Sequence, residues 1–212
     1  GLVLKINENE VWTRLIGTFN AYNLVAIYGV AIELGMESLE VLRLLSELES
    51  VSGRFQFIVS DEKITAIVDY AHTPDALENV LSTINDIRTK NEQLITVVGC
   101  GGDRDKTKRP IMADIASTMS DKLIITSDNP RTEDPKTIIS EMESGVAPHH
   151  FKKMLSIEDR YQAIKTACQL AQPKDIILIA GKGHETYQEV NGVRHDFDDM
   201  QIVKEILTQL NK

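Results

Sequence analysis

The run Ile176-Ile177-Leu178-Ile179-Ala180 carries no polar side chain on either alternation. A strand with one face in water alternates apolar and polar residues, so this run describes a strand covered on both faces. Related runs occur at Ile64-Thr65-Ala66-Ile67-Val68, from Leu94 to Val98, and at Leu123-Ile124-Ile125. Helical spacing separates them. Thr73 as N-cap and Pro74 open a helix that buries Leu77, Val80, Leu81, Ile84 and Ile87. Pro110 opens another with Met112, Ile115, Ala116 and Met119, and Asp134-Pro135 repeats the cap. Phe151 to Leu155 reads as a short strand. Ser156-Ile157-Glu158-Asp159 has capping-box spacing before a helix through Tyr161, Ile164, Cys168 and Ala171. A last amphipathic helix places Ile202, Val203, Ile206, Leu207 and Leu210 inside. Buried strands alternating with such helices require an α/β fold, a Rossmann-like, mostly parallel sheet with helices on both faces.

The first 51 residues follow a different grammar. Leu2 to Ile6 and Val11 to Ile16 read as two strands around the polar turn Asn7-Glu8-Asn9-Glu10. An isolated hairpin is unstable in water, so it is expected to pack on a larger body, and the opening reads as the middle of a domain. A helix then places Leu24, Ile27, Ala31 and Leu34 on one face and ends at Gly35. A second, capped by Ser38, buries Val41, Leu44, Leu45 and Leu48. The expected division is residues 1–51, the tail of a second α/β domain, and residues 52–212.

In a parallel sheet ligands bind beyond the carboxyl ends of the strands. The segments that follow the four strands are Asp69-Tyr70-Ala71-His72-Thr73-Pro74-Asp75, Gly99 to Lys106, Ser127-Asp128-Asn129-Pro130-Arg131, and Gly181-Lys182-Gly183-His184-Glu185. All four are expected on one rim. The Asp-Asn-Pro-Arg segment offers a guanidinium fork, an amide and a carboxylate, a set suited to a small molecule bearing both charge signs.

Nearby motifs fail closer inspection. Gly99-Cys100-Gly101-Gly102 begins like a dinucleotide fingerprint, but Arg104 stands where the last glycine would fall. The phosphate-loop pattern is absent from the whole chain. Cys100 reads as a small residue in a glycine turn because no activating base accompanies it. His149 and His150 lack zinc-ligand spacing and read as loop residues. Asp134 is a cap, and Arg104 and Arg131 taken singly are ordinary surface charges.

A formal charge of -9 excludes a general nucleic-acid surface, which would show a basic stripe. No apolar run approaches the roughly 18 residues of a membrane span. Two cysteines make no disulfide framework, and a reducing cytoplasm is the expected location.

Six ordered motifs carry a resemblance: Gly17-Thr18-Phe19-Asn20-Ala21-Tyr22-Asn23, Gly53-Arg54, Asp69 to Leu77, Gly99 to Pro110, Asp128 to Arg131, and Gly181 to Glu185. Together they resemble the Mur ligases, in particular those that add the third residue of the peptidoglycan stem peptide. The resemblance covers essentially the whole chain. It implies that residues 1–51 are the carboxy-terminal tail of the central ATP-binding domain and residues 52–212 the carboxy-terminal amino-acid-binding domain. The amino-terminal domain, the phosphate loop and the main Mg2+ ligands would precede Gly1. In that family ATP activates the carboxylate of a UDP-N-acetylmuramoyl-dipeptide and the incoming amine attacks it.

Carried over residue by residue, the resemblance places Asn20, Asn23, Arg54, Asp69 and His72 at ATP. It places Arg104, Asp128, Asn129, Pro130, Arg131, Gly181 and Glu185 at the amino acid. It implies no metal ligand in these residues, and no ligase activity from them alone. Asn20 and Asn23 read equally well as turn and cap amides. The Asp-Asn-Pro-Arg form resembles enzymes selecting meso-diaminopimelate over lysine. Thr107 departs from the glycine expected there. The alternatives are a sister Mur or folylpolyglutamate-type ligase taking another amino acid, and a non-catalytic amino-acid or nucleotide-binding module.

Overall fold

Asn7, at φ +53, turns the chain back between β1 (Val3–Ile6) and β2 (Asn9–Trp12), which pair antiparallel. The computed structural model describes residues 1–212, and contacts divide them into Gly1–Val51 and Ser52–Lys212. In the first unit the hairpin packs on α1 (Thr18–Glu33) and α2 (Ser38–Glu47) through Ile6, Val11, Leu24, Val41, Leu42 and Leu45.

The expected helix faces need correction here. Tyr28, Ala31 and Ile32 join Leu24 on the inner stripe of α1, while Ile27 and Leu34 are exposed. α1 is apolar on nearly all sides, so spacing alone could not choose its inner face. Glu37, not Ser38, caps α2, its carboxylate accepting from the Glu40 amide at 3.0 Å. The Ser38 hydroxyl instead pairs with that of Tyr28 at 2.8 Å. Leu42 takes the inner place expected of Leu44, and Leu44 and Leu48 are exposed.

The second unit is built on six strands. They are β3 (Gln56–Val59), β4 (Thr65–Asp69), β5 (Leu94–Val98), β6 (Lys122–Thr126), β7 (Met154–Ile157) and β8 (Ile176–Ala180), in the spatial order β3-β4-β8-β5-β6-β7. Only β3 runs antiparallel. Ile177 lies level with Ala66 on one side and Ile95 on the other, so the most apolar run occupies the centre. The helices α3 (Pro74–Ile87), α4 (Lys108–Met119) and α5 (Pro135–Glu143) pack in sequence, with α4 and α5 against β5 and β6. The other face is closed by α6 (Arg160–Leu170) and α7 (Asp199–Gln209), whose Ala163, Ile164, Val203 and Ile206 meet Ala66, Val68, Ile177 and Ile179.

The chain therefore leaves β4 and β5 toward one face and β8 toward the other. Adjacent strands with connections on opposite faces open a crevice between their loops, which is where ligands bind in such sheets. The segment after β8 stands in that crevice.

Four local expectations change. α4 begins at Lys108, with Pro110 in its first turn. Phe151 lies exposed in a 3-10 turn, Pro148–Lys153, and the strand starts only at Met154. Asp159 caps α6 by accepting from Gln162, whereas Ser156 sits within β7 and bonds Glu143. Ile87, at the end of α3, is exposed. Two features lie outside the sequence expectations. One is the edge strand β3. The other is the hairpin β9 (Tyr187–Val190) and β10 (Val193–Asp196) around Asn191-Gly192, both at positive φ.

Candidate functional site

Gly181 and Gly183, at φ +118 and +53, fold the chain after β8 back on itself and carry the Lys182 side chain inward. Lys182 is fully buried. Its ammonium donates to Asn129 Oδ1 at 3.1 Å and to Glu185 Oε2 at 3.3 Å. Asn129 Nδ2 donates to the same Glu185 oxygen at 2.7 Å, and the Glu189 amide donates to Asn129 Oδ1 at 2.9 Å. Beside them the buried Asp128 carboxyl is pushed above its ordinary value by burial, against the pull of Arg160 and Lys182. A side chain at Gly181 would meet Asp128 Oδ2 at 2.7 Å.

Beneath this layer Arg160 and Asp199 form a fully buried ion pair at 2.7 Å. Arg160 also donates to the carbonyls of Ser127 and Ala180, at 3.4 and 3.2 Å. It thus links the carboxyl ends of β6 and β8.

Arg131 adopts φ +52 and donates through Nη1 to the Gly102 carbonyl at 2.8 Å. A Cβ on Gly101 would lie 2.8 Å from that nitrogen and 3.9 Å from Arg104 Cγ, so both arginines run past this glycine. Arg104 is exposed and donates to the Asp103 carbonyl at 3.0 Å. The fully buried Arg109 braces the same loop, bonding Glu133, Glu141 and the Gly101 carbonyl. The β9 hairpin clamps the opposite edge. Arg131 N donates to Glu189 O at 3.1 Å, Asn191 N to Arg131 O at 2.7 Å, and Gln188 Nε2 to Asp128 O at 2.7 Å.

A second group surrounds Tyr70. The guanidinium of Arg54 lies 5.0 Å from its ring centre, with the His72 and His184 rings at 4.5 and 5.0 Å. Its hydroxyl faces Glu185 Oε1 at 3.5 Å, which joins the two groups. Asp69 accepts the Phe55 amide at 2.7 Å, and burial raises its carboxyl despite that bond and the nearby Arg54 charge. His72 Nδ1 lies 2.9 Å from the Tyr70 carbonyl oxygen.

Asn20 and Asn23 belong to the first unit. Asn20 donates to the Ile16 carbonyl at 2.8 Å, and Asn23 donates to Asn20 Oδ1 at 3.3 Å. Cys100 is buried against Met112, and burial pushes its thiol to about 12, which leaves it no thiolate for nucleophilic work. No group of three or more His, Cys, Asp or Glu side chains is placed to hold a metal ion.

The family model described as "Mur ligase, glutamate ligase domain" matches residues 53–183, more than half of the chain. The chain belongs to the Mur ligase family. It is 56% identical over 212 residues to the UDP-N-acetylmuramoyl-L-alanyl-D-glutamate--2,6-diaminopimelate ligase of Cytophaga hutchinsonii, and 45% identical over 211 residues to that of Bacillus velezensis. These alignments cover all of this chain but 43% and 42% of the relatives' lengths. A solved structure of a ligase of the same name superposes with a TM-score of 0.73 at 44% identity, covering 96% of this chain and 41% of the other. Mycobacterium tuberculosis folylpolyglutamate synthase, at 20% identity and a TM-score of 0.64 over 81% of this chain and 39% of its own, shares the fold.

Within this Mur ligase chain the structure brings Asp128, Asn129, Gly181 and Glu185 into one cluster and sets Arg131 at its edge. Arg54, Asp69 and His72 gather around Tyr70. Reading the sequence missed Lys182, Gln188, Arg109 and Arg160. Asn191-Gly192, a strong hairpin signal, could have located the clamp. Nothing local distinguishes a buried lysine from an exposed one.

Proposed function

We propose that this chain is the amino-acid-binding part of an ATP-dependent ligase adding meso-diaminopimelate to UDP-N-acetylmuramoyl-L-alanyl-D-glutamate in cytoplasmic peptidoglycan synthesis. Residues 1–51 are the tail of its central ATP-binding domain and residues 52–212 its carboxy-terminal domain. One observation carries the reading: a cluster containing the buried Asp128 and the half-buried Glu185 adjoins the Arg131 segment at the rim. Diaminopimelate carries both an ammonium and a carboxylate at its far end. The cluster suits the ammonium and the planar fork of Arg131 suits the carboxylate, with Arg104 approaching past Gly101. Lysine has no distal carboxylate and would leave Arg131 unpaired.

The Tyr70 group fits a nucleoside triphosphate. Arg54 and His72 supply a cation and an imidazole for phosphate oxygens, and Asp69 a carboxylate for a ribose hydroxyl. Asn20 and Asn23, in the first unit, carry amides of the kind that can bond an adenine ring. ATP, with Mg2+ held mainly by residues beyond these, supplies carboxylate activation. The UDP-linked dipeptide is held mainly elsewhere in the full-length ligase. The residues here orient the amino acid so that its amine reaches the activated carboxylate, and Arg54 stabilises negative charge developing on the phosphates.

Calorimetric titration of this chain with meso-diaminopimelate, L-lysine and ATP tests the reading, together with ADP release by the full-length protein. Expected are weak diaminopimelate binding, little lysine binding, and ADP release that requires both diaminopimelate and the UDP-linked dipeptide. Equal use of lysine would refute the selectivity. Turnover of ATP by this chain alone would refute the division of labour.

A further inference from the structure

We infer that Lys182 is the positioning residue of the amino-acid pocket: its buried ammonium fixes the orientation of the Asn129 amide and decides which oxygen of Glu185 is left for the substrate. This rests on the function proposed above.

Burying an ammonium is costly, and filling the same space needs only a methionine or leucine. Here the chain is bent to achieve the burial, with Gly181 and Gly183 both in left-handed backbone around it. The Tyr187 ring lies 5.5 Å from the ammonium, a cation–π contact. Lys182 can only donate, and its acceptors are Asn129 Oδ1 at 3.1 Å and Glu185 Oε2 at 3.3 Å.

The consequence for Asn129 is directional. An asparagine amide turned by 180° keeps its shape and exchanges donor for acceptor. Oδ1 meets two donors, the Lys182 ammonium and the Glu189 amide at 2.9 Å. The turned amide would point N–H groups at both. With Oδ1 so held, Nδ2 must face Glu185 Oε2, and it does at 2.7 Å. Glu185 Oε2 is thereby occupied twice. Oε1 meets only the Tyr70 hydroxyl, at a long 3.5 Å, and is the oxygen left for a substrate ammonium. Lys182 also offsets charge between Asp128 and Glu185, the two carboxylates that share this layer.

The test uses the full-length ligase and four proteins: wild type, Lys182→Met, Glu185→Gln and the double variant. Lys182→Met keeps side-chain length and removes the charge. Steady-state KM is measured for diaminopimelate, ATP and the UDP-linked dipeptide, with thermal midpoints by circular dichroism. Lys182→Met is expected to raise KM for diaminopimelate at least tenfold while the other two KM values stay within twofold. Because both residues act through one carboxylate, the double variant should lie within threefold of Glu185→Gln. That comparison also survives if Lys182→Met alone misfolds, since the double variant leaves no carboxylate at Glu185 without its cation.

Three results would overturn the inference: an unchanged diaminopimelate KM in Lys182→Met, parallel rises in all three KM values, or multiplied losses in the double variant. A wild-type enzyme that ignores diaminopimelate refutes instead the proposed function.

Discussion

Arg131 spends one guanidinium N–H on the Gly102 carbonyl, at 2.8 Å, and so ties the loop after β6 to the glycine loop after β5. Four of its five donors remain. In the full-length ligase Arg131→Ala should weaken selection of diaminopimelate by about 1.5–3 kcal/mol, the scale of a charged hydrogen-bonded contact. Lysine use should change far less. Arg131→Lys should also be poor, because one ammonium cannot reproduce the planar fork. Equal losses for both amino acids, read from kcat/KM, would mean that Arg131 serves the Gly102 loop and not the distal carboxylate.

Gly102 tolerates no side chain. Its Cβ would lie 2.0 Å from the Pro130 carbonyl oxygen, a backbone atom that cannot rotate away. Gly102→Ala should therefore separate the two loops, at about 1–3 kcal/mol of stability by urea denaturation, and weaken diaminopimelate binding. Gly29 in α1 is the control, since a Cβ there meets nothing within 4 Å. Gly29→Ala should stabilise this chain by about 0.5–1 kcal/mol. Similar behaviour of the two variants would refute the steric account.

The Glu133 carboxyl is held down to about 2, first by hydrogen bonds from Arg109, then by Lys106 and the Asp103 amide. A carboxyl depressed by folding contributes stability that is complete above its unfolded value, near 4.5, and is lost as pH falls toward 2. Carbon-13 titration of Glu133 should show a midpoint well below 4.5, the ordinary glutamate value. Arg109→Met should move it back up. A midpoint near 4.5 in the unmodified chain would remove the proposed brace.

Arg160 and Asp199 exclude water completely, so breaking the pair strands a buried charge. Asp199→Leu should cost about 3–5 kcal/mol, and Arg160→Met combined with Asp199→Leu should cost less than Asp199→Leu alone. Chemical denaturation of the wild type, Asp199→Leu, Arg160→Met and the double variant gives the coupling directly. Additive losses would show that the two charges do not depend on each other. The double variant should still bind diaminopimelate less well, because the Ser127 and Ala180 carbonyls lose their shared donor.

Much of the second unit was legible. Its helices are marked by Thr73-Pro74 and Asp134-Pro135, and its central strand by five aliphatic residues in a row. These signals are local: a cap bonds an amide two or three residues away, and a run with no polar parity excludes a wet face. The first unit was less legible because α1 is apolar nearly all round, and Glu37 competed with Ser38 for the same cap. The hairpin turn at Asn191-Gly192 is a local signal of the same kind.

The sequence by itself determined an α/β chain whose polar loops follow its buried strands, and through its motifs the family. Tertiary structure decided that β8 inserts between β4 and β5, which sets Gly181–Glu185 against Asp128 and Asn129. It also decided that Lys182, Arg109 and Arg160 are buried while the other lysines and arginines keep part of their surface in water. The physical reason is that strand order and the burial of a charge depend on partners some twenty to more than fifty residues away. No window of local sequence contains the whole set of groups that makes such burial tolerable: Lys182 has Glu185 three residues on, but its other acceptor, Asn129, lies 53 residues back.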